Sequence, residues 1–302
     1  MSTEVINYTA CPLCFGNILI PVFAVKDYTV SGQDFLVIEC ASCHLRITQG
    51  VPSSGSIGRY YKSQEYISHT ESRSGLINRL YHIARKRTLS GKLNLIRKHT
   101  GLEKGMHLDM GAGTGTFVQL MNSSGWASKG IEPDEEARNN ARSLHGTLLA
   151  GIEEFYLLKE QSFDAITLWH VLEHVHELHQ YLEQLKKILK PSGKLFIAVP
   201  NYTSWDARHY LQYWAAYDVP RHLYHFSPEA MKKLIADKGL VLESVRPMWY
   251  DSFYISLLSE KYRSGKSQFF GGFMNGAISN AKSMANHERC SSLIYVIGKE
   301  NS

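Results

Sequence analysis

Long hydrophobic runs are missing from this sequence of 302 residues. No stretch approaches the roughly 20 consecutive apolar residues that a membrane span needs, and no repeat or low-complexity tract is visible. The polar N-terminus lacks the apolar core of a secretory signal, so we expect a cytoplasmic protein. A formal net charge of +5 is too small to demand a nucleic-acid partner.

Cysteine is almost absent after residue 43, where only Cys290 remains. The other four of the five cysteines form two C-x-x-C pairs, Cys11 with Cys14 and Cys40 with Cys43. Each pair can offer two thiolates from one tight turn to a tetrahedral zinc ion. Because strand-like segments lie between the pairs, the pattern predicts a structural zinc in a small N-terminal zinc ribbon. We expect Cys290 to be a core residue.

Two alternative uses of these cysteines fit the sequence less well. Disulfides are disfavoured because no secretory signal accompanies them. The run from Cys40 to His44 also matches a haem c attachment pattern. That chemistry requires export, and it would leave Cys11 and Cys14 unexplained.

The stretch Met106 to Gly115 reads Met-His-Leu-Asp-Met-Gly-Ala-Gly-Thr-Gly. It is a short apolar run that ends in alternate glycines, and apolar residues at helical spacing follow it. The pattern predicts a strand, a tight turn and a helix. Glycines let the backbone pass close to a ligand, and the free N–H groups of a helix start can hold an anionic group. Asp109 is placed to reach a cationic ligand group beside this turn.

An acidic residue follows the next predicted strand. Residues 127–131 are strand-like, and Glu132 comes directly after them, about twenty residues after the glycine turn. At that spacing a carboxylate can accept hydrogen bonds from ribose hydroxyls.

This order of residues resembles motif I of the class I S-adenosylmethionine-dependent methyltransferases. The competing dinucleotide fingerprint would place its third glycine at Thr116, whereas here it stands at Gly115 and an Asp precedes the turn. The resemblance implies S-adenosyl-L-methionine as the cofactor. It implies as cofactor-binding residues Asp109, Gly111, Gly113, Gly115, Glu132, Gly151, Ile152 and His170. The turn at Gly151 would lie beside the adenine, although an acid is usual there.

A second segment extends the resemblance. After the predicted strand at 163–169 the chain reads His170-Val-Leu-Glu173-His174-Val, which is similar to the L-E-H-V segment of the ubiquinone O-methyltransferase type. In that type the matching positions are Glu, Glu and His and are associated with a divalent metal. His170 replaces the first Glu, so a divalent metal here stays open. On a helix the three side chains would share one face.

The predicted fold class is α/β: a doubly wound, seven-stranded Rossmann-like methyltransferase sheet with a small N-terminal zinc ribbon. Beyond the glycine strand, the strands are predicted at 127–131, 148–150, 163–169, 195–199, 240–245 and 292–297, the last of them antiparallel. We place the ribbon at 1–50, a linker with a basic helical segment at 51–104, and the methyltransferase domain at 105–302. Insertions are predicted at 201–226 and 250–290, and no pattern indicates a role for the second.

Aromatic residues crowd the first insertion, which directly follows the fifth predicted strand. Open α/β sheets bind ligands at the carboxyl ends of their strands, so we expect a substrate lid here, with a second small core as the alternative. The string Pro-Arg-His222-Leu-Tyr-His225-Phe-Ser resembles one in zinc-ribbon-bearing methyltransferases that act on sugars and other small molecules. Histidine suits a proton acceptor because its ordinary pKa is about 6.5. The candidate catalytic residues are His222, His174 and His170.

The linker offers two further expectations. Residues 76–102 look helical and basic, which suits either an amphipathic helix packed on the sheet or a surface for a phosphate-bearing substrate. Just before them, Tyr61 and Tyr66 are expected either to cap the cofactor pocket or simply to pack.

We therefore predict an S-adenosylmethionine-dependent methyltransferase with a structural zinc. The expected acceptor is a small molecule such as a sugar nucleotide, a quinol-like phenol or a glycan precursor. RNA methylation is one alternative, because ribosomal RNA guanine methyltransferases also carry a zinc ribbon. Against it, the fourth predicted strand ends in Trp-His rather than Asn-Pro-Pro-Tyr. A non-catalytic cofactor-binding module is the other alternative, and no oligomeric state is indicated.

Overall fold

The structure, a computed structural model, describes residues 5–61 and 76–300, with residues 76–86 described by their backbone alone. Tyr66, a candidate for the cofactor pocket, lies outside the described residues. The side chains of Arg79, Arg85 and Lys86, which belong to the predicted basic helical segment, lie outside them as well.

Strands and helices alternate through most of the described chain. The strands are β1 (Val5–Ile6), β2 (Leu19–Lys26), β3 (Asp34–Cys40), β4 (Arg46–Thr48), β5 (Val51–Pro52), β6 (Met106–Met110), β7 (Ala127–Ile131), β8 (Phe163–Trp169), β9 (Leu189–Pro200), β10 (Tyr224–His225), β11 (Leu240–Pro247) and β12 (Ser292–Lys299). The α-helices are α1 (Leu76–Thr100), α2 (Thr116–Ser123), α3 (Glu135–His145), α4 (Ile152–Phe155), α5 (Leu178–Ile188), α6 (Trp205–Tyr210), α7 (Pro228–Asp237), α8 (Asp251–Ser264) and α9 (Phe269–Ala285).

The main sheet has the strand order β11-β12-β9-β8-β6-β7. Strands β6 to β9 pair in parallel, and β12 pairs antiparallel with both β9 and β11. Within the described residues the sheet has six strands rather than the seven predicted. Residues 148–150 form a single bridge, from Ala150 to Ile131. Leu148 is 76% exposed, and α4 begins two residues after Ala150. The segment is therefore too short and too poorly buried to form a full ladder of hydrogen bonds with β7.

Helices cover both faces of this sheet. Leu93 and Ile96 of α1 pack in one buried cluster with Phe196 of β9. Leu182 and Leu185 of α5 belong to the main buried core on the other side. Burial on both faces explains why β8 and β9 read as nearly continuous apolar runs.

A second sheet, antiparallel with the order β10-β4-β3-β2, forms the N-terminal part. Its strand β10 comes from the first insertion, where Tyr224 pairs with Ile47 of β4. Trp214 and Tyr217 of the same insertion share a buried cluster with Val37 of β3. The first insertion therefore forms a second small core with the N-terminal sheet, as the alternative predicted, and its role as a substrate lid stays a prediction.

The second insertion forms a helical hairpin, α8 and α9, between β11 and β12. At the start of α8, the Asp251 carboxylate lies 2.9 Å from Nε2 of His170, which ties the hairpin to the end of β8. Among residues 5–61 and 76–300, no helix combines the length and the apolar character needed to cross a membrane.

Candidate active site

The glycine turn after β6 depends on backbone conformations that L side chains rarely adopt. Gly111, Gly113 and Gly115 have φ angles of 63°, 53° and 73°. A Cβ at Gly111 would lie 2.6 Å from a methyl of Val171, whereas a Cβ at Gly113 would meet nothing within 4 Å. The turn is therefore packed tightly at one end and open above Gly113, where a ligand can approach the backbone.

Glu132 closes this turn from the end of β7. Its carboxylate accepts hydrogen bonds from the backbone N–H of Gly113, at 2.7 Å, and of Asp134, at 2.9 Å. Burial raises the pKa of Glu132, although the two backbone hydrogen bonds act in the opposite direction. Glu132, the residue predicted to bind the ribose, thus lies against the glycine turn, as its spacing in the sequence implies.

Asp109 is buried below the turn. Its side chain is 3% exposed and accepts a hydrogen bond of 2.6 Å from Oγ1 of Thr167 on β8. Burial raises the pKa of Asp109 to about 7, against the hydrogen bond from Thr167 and the charge of Lys92. A carboxyl whose pKa is raised by burial gains from a cationic neighbour, because the cation favours the charged form.

Lys92 is a residue that the sequence analysis missed. Its ammonium lies 4.1 Å from the ring centroid of Trp169, and burial lowers the pKa of Lys92 to about 8. A signal was available, because Lys92 stands at i+3 from Leu89 and at i−4 from Ile96, on the apolar face of α1. A lysine on such a face either destabilises the helix packing or lies beside a buried carboxylate.

The predicted adenine turn lies next to Glu132. Gly151 is the N-cap of α4, and Ile152 is the first residue of that short helix. The backbone N–H of Glu132 donates to the carbonyl of Ala150 at 2.9 Å, which fixes the turn beside the end of β7. The structure therefore brings together the glycine turn, Glu132 and the 151–152 turn.

His170 follows β8 with a positive φ of 58°. Its Nε2 lies 2.9 Å from Asp251 and its Nδ1 lies 3.4 Å from Glu173. Burial alone lowers the pKa of His170, but the two carboxylates outweigh it and raise the pKa to about 10. A histidine that is protonated on both nitrogens has no lone pair for a proton or a metal. The geometry thus argues against His170 as the proton acceptor.

Glu173 and His174 do not lie on an α-helix, because residues 172–174 form a single 3₁₀ turn. The helical face expected for His170, Glu173 and His174 is therefore absent. Instead, Glu173 and His174 meet His222 from the first insertion, and ligand atoms of the three residues lie within 4.8 Å of one another. Only the fold brings His222 to this place, since nothing in the chain spacing relates it to Glu173.

Unsatisfied hydrogen-bonding capacity marks this cluster, which we call the Glu173 cluster (Glu173, His174 and His222). The Glu173 side chain is fully buried. Its Oε1 forms an ion pair with Nδ1 of His170 at 3.4 Å, but neither carboxylate oxygen has a hydrogen bond of good geometry among the described residues. Nε2 of His222 lies 4.0 Å from Glu173, while its Nδ1 lies 2.9 Å from the carbonyl of Ala216. A carboxylate can accept several hydrogen bonds, so Glu173 keeps acceptor capacity beyond its ion pair with His170.

His174 and Tyr61 complete the surroundings of the Glu173 cluster. Nδ1 of His174 lies 3.0 Å from both the carbonyl of Arg221 and the hydroxyl of Tyr61. Burial lowers the pKa of His174 to about 4, so the ring is neutral. By contrast, His225 lies away from the cluster and contacts Oγ1 of Thr48 at 3.0 Å.

The four N-terminal cysteines converge at the edge of the second sheet. The Sγ atoms of Cys11 and Cys43 lie 3.5 Å apart, as do those of Cys14 and Cys40. All four lie in one group of ligand atoms within 4.8 Å, and none forms a disulfide. Sulfurs about 3.5–4 Å apart match the spacing of four thiolates around one tetrahedral ion with bonds of about 2.3 Å.

Comparison with known proteins gives curated relatives that match about half of this chain. The human mitochondrial ubiquinone biosynthesis O-methyltransferase is 28% identical over 162 residues, which cover 48% of this chain and 44% of that protein. The ubiquinone biosynthesis O-methyltransferase of Xanthomonas axonopodis pv. citri is 30% identical over 159 residues, 48% of this chain and 66% of that one. The chain spans about half the length of the first curated relatives it matches.

A solved structure shares the fold. Magnesium protoporphyrin IX methyltransferase from Synechocystis PCC 6803, determined with bound SAH, superposes with a TM-score of 0.54 at 11% identity. The similarity covers 82% of this chain and all of that one (100%). The family model described as a methyltransferase domain matches residues 81–245, more than half of the chain. That span contains the glycine turn, Glu132 and the Glu173 cluster, and the chain belongs to this methyltransferase domain family.

Proposed function

We propose that this protein transfers a methyl group from S-adenosyl-L-methionine to a small molecule. The observation that carries the proposal is the glycine turn, open above Gly113 and closed by Glu132. Membership of the methyltransferase domain family supports it, as do relatives named as O-methyltransferases. The cytoplasmic location stays a prediction, since the human relative is named as mitochondrial.

In this proposal Glu132 accepts hydrogen bonds from the ribose hydroxyls, and the turn at Gly151 and Ile152 flanks the adenine. Asp109 and the glycine turn hold the methionine part of the cofactor. The sulfonium makes its methyl group electrophilic, so the protein's main task is to align an acceptor opposite the leaving sulfur. His170 takes a positioning role, because its bonds to Asp251 and Glu173 fix the chain where β8 ends.

We expect Glu132→Ala to weaken cofactor binding by about 1–3 kcal/mol, the range for a lost hydrogen bond to a charged group. Calorimetry with S-adenosyl-L-homocysteine measures the change. Glu135→Ala is the matched control, because Glu135 is exposed in the first turn of α3 and should leave affinity unchanged. Unaltered affinity in Glu132→Ala would remove Glu132 from the cofactor site.

The acceptor side of the site is proposed to hold a divalent metal on Glu173, His174 and His222. The residues fit, because the buried Glu173 carboxylate has an ion pair with His170 but no hydrogen bond of good geometry among the described residues, and Nε2 of His222 lies 4.0 Å from it. A carboxylate with two imidazoles suits metals such as zinc, manganese or iron. A bound divalent metal would lower the pKa of a hydroxyl on the acceptor. Because Nε2 of His222 is also our candidate proton acceptor, the two roles call for different experiments.

We expect wild-type protein to bind one Mn²⁺ in addition to any metal on the cysteines, and Glu173→Gln to lose most of that affinity. Electron paramagnetic resonance counts the bound ion without needing a substrate. Glu177→Gln serves as the control, because Glu177 is exposed four residues further on. If Mn²⁺ fails to bind while His222→Gln removes turnover in metal-free protein, His222 is a proton acceptor and the metal proposal is wrong.

The N-terminal cysteines are proposed to hold one structural zinc in a zinc ribbon. The two pairs of sulfurs already converge, and a Cβ on Gly16 would lie within 3.4–3.5 Å of the sulfurs of Cys14 and Cys40, so the turn is packed around them. Four thiolates leave no open coordination position for a water or a substrate. The proposed zinc therefore has a structural role and not a catalytic one.

The acceptor class can be tested with extract and labelled S-adenosyl-L-methionine. We expect the label to appear in a low-molecular-weight product, independent of ribonuclease treatment. Label that is released by ribonuclease would establish RNA as the acceptor. Cofactor binding without any labelled product would support a non-catalytic module.

A further inference from the structure

The helical hairpin of α8 and α9 buries small residues of α9 and exposes large apolar ones. The buried residues of α9 are small, namely Gly272, Gly276, Ser279 and Ser283, and the two glycines lie against Leu257 and Phe253 of α8. A Cβ at Gly272 would lie 2.7 Å from Cα of Leu257, so the two helices approach each other closely. Such close contact through small residues is typical of helices that have little apolar side-chain volume to bury between them.

Most of the large apolar residues of α9 point the other way. At 100° per residue, Phe270, Met274, Ile278 and Met284 fall on the face opposite the small buried residues, and Phe273 lies at the edge of that face. Six large side chains are exposed, namely Phe269 (57%), Phe270 (78%), Phe273 (46%), Met274 (43%), Ile278 (36%) and Met284 (74%). Phe273 stacks on Phe253 of α8 with 5.0 Å between ring centroids, but packing among the described residues leaves the other large side chains of this face exposed. A contiguous exposed apolar patch of this kind marks an interaction surface.

Charge identifies the partner of this surface. From residue 261 to residue 287 the sequence has no Asp or Glu, but it carries Lys261, Arg263, Lys266 and Lys282. Glu260, just before this stretch, is 2% exposed and is paired with Arg263 at 2.7 Å. The hairpin therefore combines an exposed apolar and aromatic face with charged residues that, between 261 and 287, are all basic, which is the composition of segments that lie in an anionic lipid interface.

A second copy of the chain fits this surface less well. In a two-fold contact each hairpin would meet its own equivalent. The basic residues of 261–287 would then face each other, with no Asp or Glu of that stretch between them, and like charges repel.

We propose that the α8–α9 hairpin docks onto the surface of a bilayer that contains anionic lipids. Phe269, Phe270 and the apolar face of α9 enter the boundary between headgroups and acyl chains, and Lys266 and Lys282 lie against the headgroups. The contact is peripheral, with both helices parallel to the membrane plane. It does not depend on the proposed methyl transfer.

The test is co-sedimentation of the full chain with vesicles of phosphatidylcholine alone or with about one third phosphatidylglycerol. We expect partitioning into the anionic vesicles to exceed that into the neutral ones by at least about tenfold, and to fall with salt. Phe269→Ser together with Phe270→Ser should lower the partition coefficient by at least about tenfold, because the variant loses the two phenyl groups that enter the bilayer. Lys266→Gln with Lys282→Gln should lower it by about tenfold or more in anionic vesicles only.

Leu157→Ser is the matched control, since Leu157 is an 83% exposed apolar residue outside the hairpin. It should partition like the wild type. Circular dichroism confirms that each variant is folded. Absence of binding, or equal binding to neutral and anionic vesicles, would overturn the proposal. Sedimentation velocity tests the other partner. A dimer that disappears when both phenylalanines are substituted would show that the hairpin binds a second copy of the chain, and the membrane proposal would be wrong.

Discussion

Replacing Cys14 and Cys43 together by serine is expected to abolish zinc binding and to unfold the N-terminal sheet. Each substitution removes one thiolate from a different pair, so neither knuckle keeps two. Structural zinc sites contribute about 10–16 kcal/mol of apparent binding free energy at pH 7, which is comparable to the whole stability of a typical domain. We expect metal analysis to give about one zinc per wild-type chain and none in the variant.

The damage should extend beyond the knuckles, because the ribbon has no separate interior. Leu13 and Leu45 are buried in the same cluster as Leu178 of α5 and Tyr224 of β10. Nε2 of His179 on α5 also contacts the carbonyl of Pro12 at 2.9 Å. Hydrogen exchange should therefore show loss of protection in β2 and β3 and also in β10, which lies almost 200 residues further along the chain.

Cys290→Ser provides the control for thiol loss in general. Cys290 is fully buried but belongs to neither pair, so that variant should keep its zinc and its N-terminal sheet. Iron in place of zinc, or a wild-type protein that folds fully without metal, would contradict the zinc proposal.

Arg221→Met is expected to lower the free energy of unfolding by about 3–5 kcal/mol, the usual cost of removing one partner of a buried ion pair. Arg221 is 1% exposed. Its guanidinium lies 3.1 Å from the fully buried carboxylate of Asp27 and 2.6 Å from that of Asp218. It also donates to the carbonyl of Tyr60 at 3.0 Å. Without Arg221, Asp27 keeps a buried charge that has no cation beside it.

The loss should depend on pH. Burial alone raises the pKa of Asp27, but hydrogen bonds from Ser31 and the charge of Arg221 outweigh it and lower the pKa to about 2, from an ordinary 3.8. A carboxyl with a lowered folded-state pKa stabilises the fold above its ordinary pKa, and this contribution is lost as pH falls through the folded-state value. The difference between wild type and Arg221→Met should therefore be largest near pH 7 and shrink as the pH falls from 4 toward 2.

Urea denaturation at each pH measures both effects. Lys232→Met is the control, because Lys232 and Glu288 form an exposed pair and should contribute about 0–1 kcal/mol. A loss in Arg221→Met no larger than that of the control would mean that the ion pair does not hold the N-terminal sheet to the first insertion.

The sequence by itself determined the parts of this protein that are local in the chain. The glycine turn between β6 and α2 was predictable because positive φ angles need glycine at particular positions. The α/β class was predictable from the alternation of apolar runs and helical patterns. The two cysteine pairs were recognisable because each pair is one tight turn. In each case the residues that matter lie within a few positions of one another.

The tertiary structure alone decided which distant residues meet. The pairing of β10 with β4 joins the first insertion to the N-terminal sheet, and Arg221 and His222 reach their partners through it. No local pattern relates His222 to Glu173, or Lys92 to Asp109, since their proximity follows from the packing of elements far apart in the chain. The strand expected at 148–150 forms only one bridge, and this outcome also depended on the packing of distant elements. Local propensity favours a strand there, but a strand needs a neighbour along its whole length, and only the packed sheet determines whether one is present.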